Sequence, residues 1–204
     1  GDGLSLSGLE LALRPAVAEG RWQVPDHFNF TRDVVEGLAD DPKRRAITFI
    51  GKDGIIEPRT FHVLSERAAR WSWLLRERGV RPGDPVLVLA GTNVDWIEIV
   101  LACIKVGAVV VPGPPTLSAE TLDVRLERTG ADLVVAERSA EPELDRTTNR
   151  PLVLYVDDGR ALLEDSPEEA PTHDSSSRDI AFVPFCPLGL PGGAFGIELS
   201  AGEI

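Results

Sequence analysis

Methionine is absent from this sequence, tyrosine occurs once, and cysteine occurs twice, as Cys103 and Cys186. Two cysteines can build neither a disulfide scaffold nor a zinc-type ligand set. The three histidines, His27, His62 and His173, stand too far apart for paired metal-ligand spacing. Basic residues total 21 against 33 acidic ones, for a net charge of −12. That balance argues against a nucleic-acid groove and against an anionic membrane surface, since both require clustered positive charge. No apolar run reaches the roughly 18 residues of a membrane span. The most apolar stretch, Ile97 to Val111, is interrupted by Glu98 and Lys105. The N-terminus lacks the basic region of a signal peptide, and Glu10 interrupts its apolar stretch. These absences lead us to expect a soluble, cytoplasmic protein in a reducing compartment, with no nucleic-acid or membrane partner. The opening Gly1-Asp2-Gly3, without methionine, looks processed and is left out of fold reasoning.

What is present is a globular composition, 43% apolar and 26% charged. Four organisational units are expected: an N-terminal segment over 1–27, an α/β body over 28–156, a linker over 157–178, and a strand with a Gly/Pro-rich tail over 179–204. In the body, Thr31 is placed to cap a helix stapled by Phe30 and Val35 and ending near Asp40. A hairpin follows, with Ala46 to Ile50 returning through Lys52-Asp53-Gly54 to Ile55–Thr60, and Pro58 marks an edge strand. Phe61, Leu64, Ala68, Trp71 and Leu75 step by three and four, which predicts a helix over 61–79 stopped by Gly79. Arg67, Arg70 and Arg76 fall mostly on its other face.

Val86 to Ala90 is apolar throughout, as a strand buried on both faces should be. Thr92-Asn93-Val94-Asp95 has the capping-box form before a buried helix that ends at Gly107. Strands over 108–112, 132–136 and 152–156 follow, with a helix capped by Ser118 and ended by Gly130 between the first two. The alternation predicts an α/β fold, a mostly parallel sheet with helices on both faces and an edge hairpin.

The chemistry-bearing residues are few. Asp157-Asp158 follows a strand, where α/β proteins place ligand groups, but the pair reads more readily as a solvated turn than as a site. His62 reads as a surface or packing residue, Cys103 as inert packing, and Trp71, Trp73 and Trp96 as core. The charge run Glu164 to Glu169 reads as linker solvation. One candidate site remains: Gly189, Gly192 and Gly193, in a glycine-rich turn after a strand over 179–185, could aim backbone N–H groups at phosphate. Against it, Pro187 and Pro191 lack donors, and no lysine or hydroxyl lies nearby.

Several ordered segments resemble the adenylate-forming superfamily of acyl-CoA synthetases, luciferases and nonribosomal adenylation domains. Phe28-Asn29-Phe30 with Asp33 resembles the opening of the medium-chain acyl-CoA synthetase group. Thr60-Phe61-His62-Val63-Leu64 is similar to its Thr-Phe-x-Glu-Leu segment, with Val63 replacing the Glu. Gly79-Val80-Arg81-Pro82-Gly83-Asp84-Pro85-Val86 resembles its GV-x-x-GD-x-V turn, and Asn93-Val94-Asp95-Trp96 its N-x-x-E-W helix start. Lys105-Val106-Gly107-Ala108 to Pro112 resembles K-x-G-A-x-x-x-P, and Pro115 to Ser118, Arg125-Leu126 and Gly130-Ala131 continue it.

The resemblance implies two αβαβα subdomains, a small barrel and a mobile C-terminal domain, of which this chain carries the N-terminal part. It implies a carboxylic acid substrate, activated as an acyl-adenylate at the expense of ATP and passed to CoA, with magnesium assisting. The phosphate loop should read TSGTTG-x-PKG after the strand over 179–185. Here Leu190-Pro191-Gly192-Gly193-Ala194 resembles its L-P-K-G-A end, with Gly192 in place of the lysine and every hydroxyl lost. No catalytic residue of the family maps onto this chain, and no cofactor is expected to bind to it alone. The tail fits either a degenerate loop in a truncated paralogue or a reading frame shifted near Cys186. A cut through a two-subdomain body should also expose an apolar face, so self-association or a covering partner chain is expected.

Overall fold

The computed structural model describes residues 25–51, 53–187, 194–196 and 198–201. The candidate glycines Gly189, Gly192 and Gly193 lie outside the described residues. A helical turn over Thr31–Val35 and a tighter one over Glu36–Leu38 lead into a two-stranded ribbon, β1 (Arg45–Ile50) and β2 (Ile56–Thr60). There follow α1 (Phe61–Glu77), β3 (Pro85–Leu89), α2 (Val94–Val106), β4 (Val109–Gly113), α3 (Ala119–Thr129), β5 (Leu133–Ala136), the short α4 (Glu141–Leu144), β6 (Leu152–Tyr155) and α5 (Val156–Leu162). The last strands are β7 (Ile180–Phe182), β8 (Phe185–Pro187), β9 (Ala194–Gly196) and β10 (Leu199–Ser200).

The main sheet runs β10-β7-β4-β3-β5-β6, parallel except for β10 against β7, and helices cover both of its faces. The fold class is therefore the doubly wound α/β arrangement that the alternation implied. Side chains alternate along each strand, which sorts them onto two cores. Val86, Val88, Val110, Val135 and Leu154 face α1 and α2 with Trp71, Leu75 and Ile99. Leu87, Leu89, Val111, Val134 and Ala136 face α3 and α4 with Leu122, Leu126 and Leu144. Each such valine or leucine, fully buried, contributes about 1.5–3 kcal/mol, which accounts for the uniformly apolar strands.

Helix ends follow the expected glycines and mostly the expected caps. The side chains of Thr60 and Ser118 accept from the N–H groups of Val63 and Thr121. Gly107 sits at φ +83°, and a Cβ there would lie 2.4 Å from the His173 ring, so neither the turn nor the packing admits another residue. Two expected caps are corrected. Asn93, not Thr92, caps α2 by accepting from Trp96 N–H, and Asp95 pairs instead with Arg160. Thr31 does not cap its turn. Its hydroxyl donates to the Leu101 carbonyl, while the Asn29 N–H donates to Asp33. A hydroxyl one residue out of place was drawn off by a nearer backbone carbonyl in the core.

The expected linker over 157–178 is also corrected. Its first residues form α5, then a turn over Leu163–Asp165, and 166–176 lies along α1 and α2. Arg70 donates to the carbonyls of Leu163, Glu164 and Ser166 and pairs with Glu168. Trp73 Nε1 donates to the Glu169 carbonyl, and Arg76 to that of Pro171. These three side chains step by three along α1, so the face that carries the arginines, together with Trp73, holds the strap's backbone. Gly159 lets α5 approach, since a Cβ there would lie 2.3 Å from the Trp71 ring. The single strand expected over 179–185 is split in two: β7 ends at Phe182, the Val183 N–H makes a last bond to the Val110 carbonyl of β4, and β8 begins at Phe185.

Candidate functional site

In a doubly wound sheet, ligands bind beyond the carboxyl ends of the strands, at the point where the winding reverses. The chain leaves β3 for β4 on one side and then crosses to β5 and β6 on the other, so the reversal lies between β3 and β5. There the loop 90–93 meets Glu137, the residue after β5. Gly91 N–H and Asn93 Nδ2 both donate to Glu137 Oε1, at 2.8 and 2.9 Å. Asn93 also caps α2, so the carboxylate lies at the positive end of that helix. The chain thus fills its own reversal point with an anion.

Toward β6, Arg138 Nη2 donates to both carboxylate oxygens of Asp158, at 2.8 and 2.9 Å, and the guanidinium lies 4.3 Å from the Tyr155 ring centroid. Burial, with Glu141 and Asp145 nearby, pushes the Tyr155 phenol upward. Toward β4, Arg125 reaches from α3 under the carboxyl edge. Its Nη1 donates to the Pro112 carbonyl at 2.8 Å, and its guanidinium lies 4.9 Å from the Phe185 ring centroid. The residue is 6% exposed, and its Nε is buried without a hydrogen-bond partner. Burial lowers its pKa, with no carboxylate acting in the other direction.

The other residues singled out from sequence are dispersed. Asp157 and Asp158 occupy the first turn of α5, in surface pairs with Arg160 and Arg138. Cys103 is buried in α2, and desolvation pushes its thiol up to about 12, so it is inert. His62 is exposed on α1, Trp71 is wholly buried, and Trp96 packs partly buried against the same core. Among the described residues no group of three or more His, Cys, Asp or Glu could hold a metal. At the carboxyl edge Arg138 is paired with Asp158, whereas Arg125 is buried with no described acid beside it.

Sequence reasoning passed over three residues. Glu98 is wholly buried in α2, where Arg59 Nε (3.3 Å) from β2 and Arg67 Nε (3.1 Å) from α1 both reach it. Its signal was present as a charge within an apolar run. Glu137 gave no signal and Arg125 only a place in the family resemblance, because their positions at the edge depend on which strand ends lie side by side. The expected apolar face takes a narrower form. Ile50, Ile55 and Ile56 are 72%, 60% and 63% exposed at the ribbon tip, with the other exposed large apolar residues scattered singly.

The strand order and the layout of this edge define a doubly wound α/β domain. The description "AMP-binding enzyme" matches residues 35–186, and the chain belongs to that family. It is 29% identical over 137 residues to the mitochondrial acyl-coenzyme A synthetase ACSM5 of Mus musculus, covering 64% of this chain and 24% of that protein. It is 30% identical over 207 residues to the phosphinothricin tripeptide synthetase PhsC of Streptomyces viridochromogenes, covering 91% and 19%. Among solved structures, Brucella canis acyl-CoA synthetase superposes with a TM-score of 0.79 at 20% identity, over 93% of this chain and 36% of that one. The chain thus spans about a quarter or less of the curated relatives it matches. Among the described residues no helix is long and apolar enough to cross a membrane.

Proposed function

We propose that this chain is the N-terminal part of an AMP-forming acid–thiol ligase, one that activates a small or medium-chain carboxylic acid as its acyl-adenylate and passes it to CoA. The observation that carries the reading is the family match over residues 35–186, joined to the superposition on about a third of an acyl-CoA synthetase. On this reading ATP, magnesium and CoA serve the whole ligase. The 204-residue chain by itself supplies scaffold and no turnover, because its loop around Gly189, Gly192 and Gly193 carries no lysine and no hydroxyl. A cytoplasmic location belongs to the same proposal.

Calorimetric titration of the purified chain with magnesium–ATP tests it, alongside an assay for pyrophosphate release with butyrate and CoA. No saturable heat and no pyrophosphate are expected from a folded chain. Saturable heat would show that the glycine loop still holds phosphates and would overturn the reading of an inert fragment.

The ribbon tip favours a second reading, a scaffold that associates with another protein. Three isoleucines more than half exposed at one tip form a cluster of the kind that marks contact sites. Sedimentation velocity of the chain tests this. Concentration-dependent association, abolished by replacing Ile50 and Ile56 with serine, supports it. A strictly monomeric chain that binds little apolar dye counts against it.

A further inference from the structure

Arg125 presents an unusual electrostatic position. A guanidinium carries five N–H donors and stays ionised in proteins. Among the described residues one hydrogen bond serves it, from Nη1 to the Pro112 carbonyl, and Nε is buried without a partner. No described carboxylate offsets its burial, although the residue is only 6% exposed. Every other well-buried basic side chain among the described residues has an acid beside it: Arg70 has Glu66 and Glu168, and Lys105 has Glu36. A buried charge without a counter-ion is costly, and the Phe185 ring beneath the guanidinium offsets only part of that cost. The position compounds the observation, since the group stands at the carboxyl end of a central parallel strand, where α/β sheets hold their ligands.

We propose that the Arg125 guanidinium is the receiving group of an oxyanion site at the carboxyl end of β4, taking a small carboxylate or an inorganic phosphate. Both present two oxygens to the planar fork, which is the geometry arginine matches and lysine does not. The small exposed fraction restricts the occupant to a small group. The Pro112 carbonyl holds one edge of the fork and the Phe185 ring centroid lies 4.9 Å from the guanidinium carbon, so the group is anchored on two sides before any anion arrives. The inference goes beyond the ligase reading and does not depend on ATP binding. A chain that gives no heat with magnesium–ATP could still hold a small oxyanion here.

The test uses the full 204-residue chain at constant ionic strength, titrated separately with inorganic phosphate and with butyrate, and followed by calorimetry and by thermal midpoint. Saturable binding of at least one anion is expected, weakened tenfold or more in Arg125→Met and less in Arg125→Lys, which keeps the charge and loses the fork. Phosphate alone, or butyrate alone, would support the site and name its source. A second readout needs no ligand. Arg125→Met removes a lone buried cation for an apolar chain of similar length, so its anion-free melting midpoint should equal or exceed that of the parent chain. If Arg125 is merely a strut between Pro112 and Phe185, the Met variant melts lower and binds both anions as the parent does. That result, or no saturable binding of either anion to a folded parent and a folded Lys variant, overturns the proposal.

Discussion

The sheet body and the β1–β2 ribbon use similar residues in opposite ways. In the body, Val86 to Leu89 of β3, Val110 and Val111 of β4, and Leu133 to Ala136 of β5 are all buried, and both faces are closed by helices. In the ribbon, the cross-strand pair Ile50 and Ile56 and the adjacent Ile55 point to solvent. The body is held by apolar area. The ribbon base packs lightly, through Ala46 and Ile47 against Leu64 and Leu101, and is tied to the body by the Arg59–Glu98 pair. Apolar residues that close a core are explained by stability alone, whereas the apolar residues at the ribbon tip close no core and are what the proposed association would use.

The largest test strikes the body. Trp71 is wholly buried between α1, α5 and the sheet, and Gly159 is shaped around its ring. Trp71→Ala should cost about 3–5 kcal/mol, the range for a large aromatic removed from a core. Urea unfolding followed by circular dichroism reads this directly. A loss under about 1 kcal/mol would mean that α5 and the strap collapse into the gap, and that the body is less rigid than its packing implies.

The second test cuts the tie. Glu98→Ala leaves Arg59 and Arg67 without their shared acceptor. Both arginines are about a quarter exposed, so water relieves part of the penalty, and about 2 kcal/mol is expected, below the range for a fully buried pair. The comparison becomes sharper if the loss is local. Hydrogen exchange should accelerate over 45–60 well before it does in β3 to β5. Equal acceleration everywhere would show that ribbon and body unfold as one unit and that the distinction between them is only geometric.

Much of the body was legible in the sequence, and the reasons are local. Apolar runs such as Val86 to Leu89, stops such as Gly107 and Gly130, and caps such as Ser118 act within a few residues. What was not legible depended on distant neighbours. The strap over 166–176 read as a linker because acid- and proline-rich residues ordinarily are one, and nothing near it in sequence shows that Arg70, Trp73 and Arg76 would take its carbonyls. Glu137 and Arg125 became site residues only when strand order placed β3 between β4 and β5. The family resemblance reached the fold correctly, while the one candidate site read from the residues, the glycines at 189, 192 and 193, lies outside the described residues.

Acid offers a third and smaller test, again aimed at the body. Asp123 on α3 accepts from the N–H groups of Thr148 and Asn149 and from both their side chains, fixing the loop that leads into β6. Those backbone donors favour the carboxylate and lower its pKa from 3.8 to about 2. A depressed folded-state value stabilises the fold above the unfolded pKa, and the contribution is lost as pH falls through the folded one. The gap in urea midpoint between the parent chain and Asp123→Asn should therefore be full at about pH 5 and close between about pH 4 and about pH 2. A gap that stays constant over that range would mean that the loop is held by Thr148 and Asn149 without the charge.

The smallest expected effect on stability is the one that bears most on the comparison. Ile50 and Ile56 lie opposite each other on the outer face of the ribbon, and each is more than 60% exposed. Replacing both with serine removes little buried area, so the unfolding free energy should change by no more than about 0.5 kcal/mol, as for other surface substitutions. If the variant is instead destabilised by about 1 kcal/mol or more, the isoleucines belong to the ribbon's own cohesion and the contrast with the body disappears. If stability is unchanged while association in the centrifuge is lost, the pair contributes nothing measurable to the fold and acts through contact alone. Ile55, in the turn and outside the cross-strand pair, then separates the two effects further: Ile55→Ser should weaken association while leaving the register of β1 on β2 untouched.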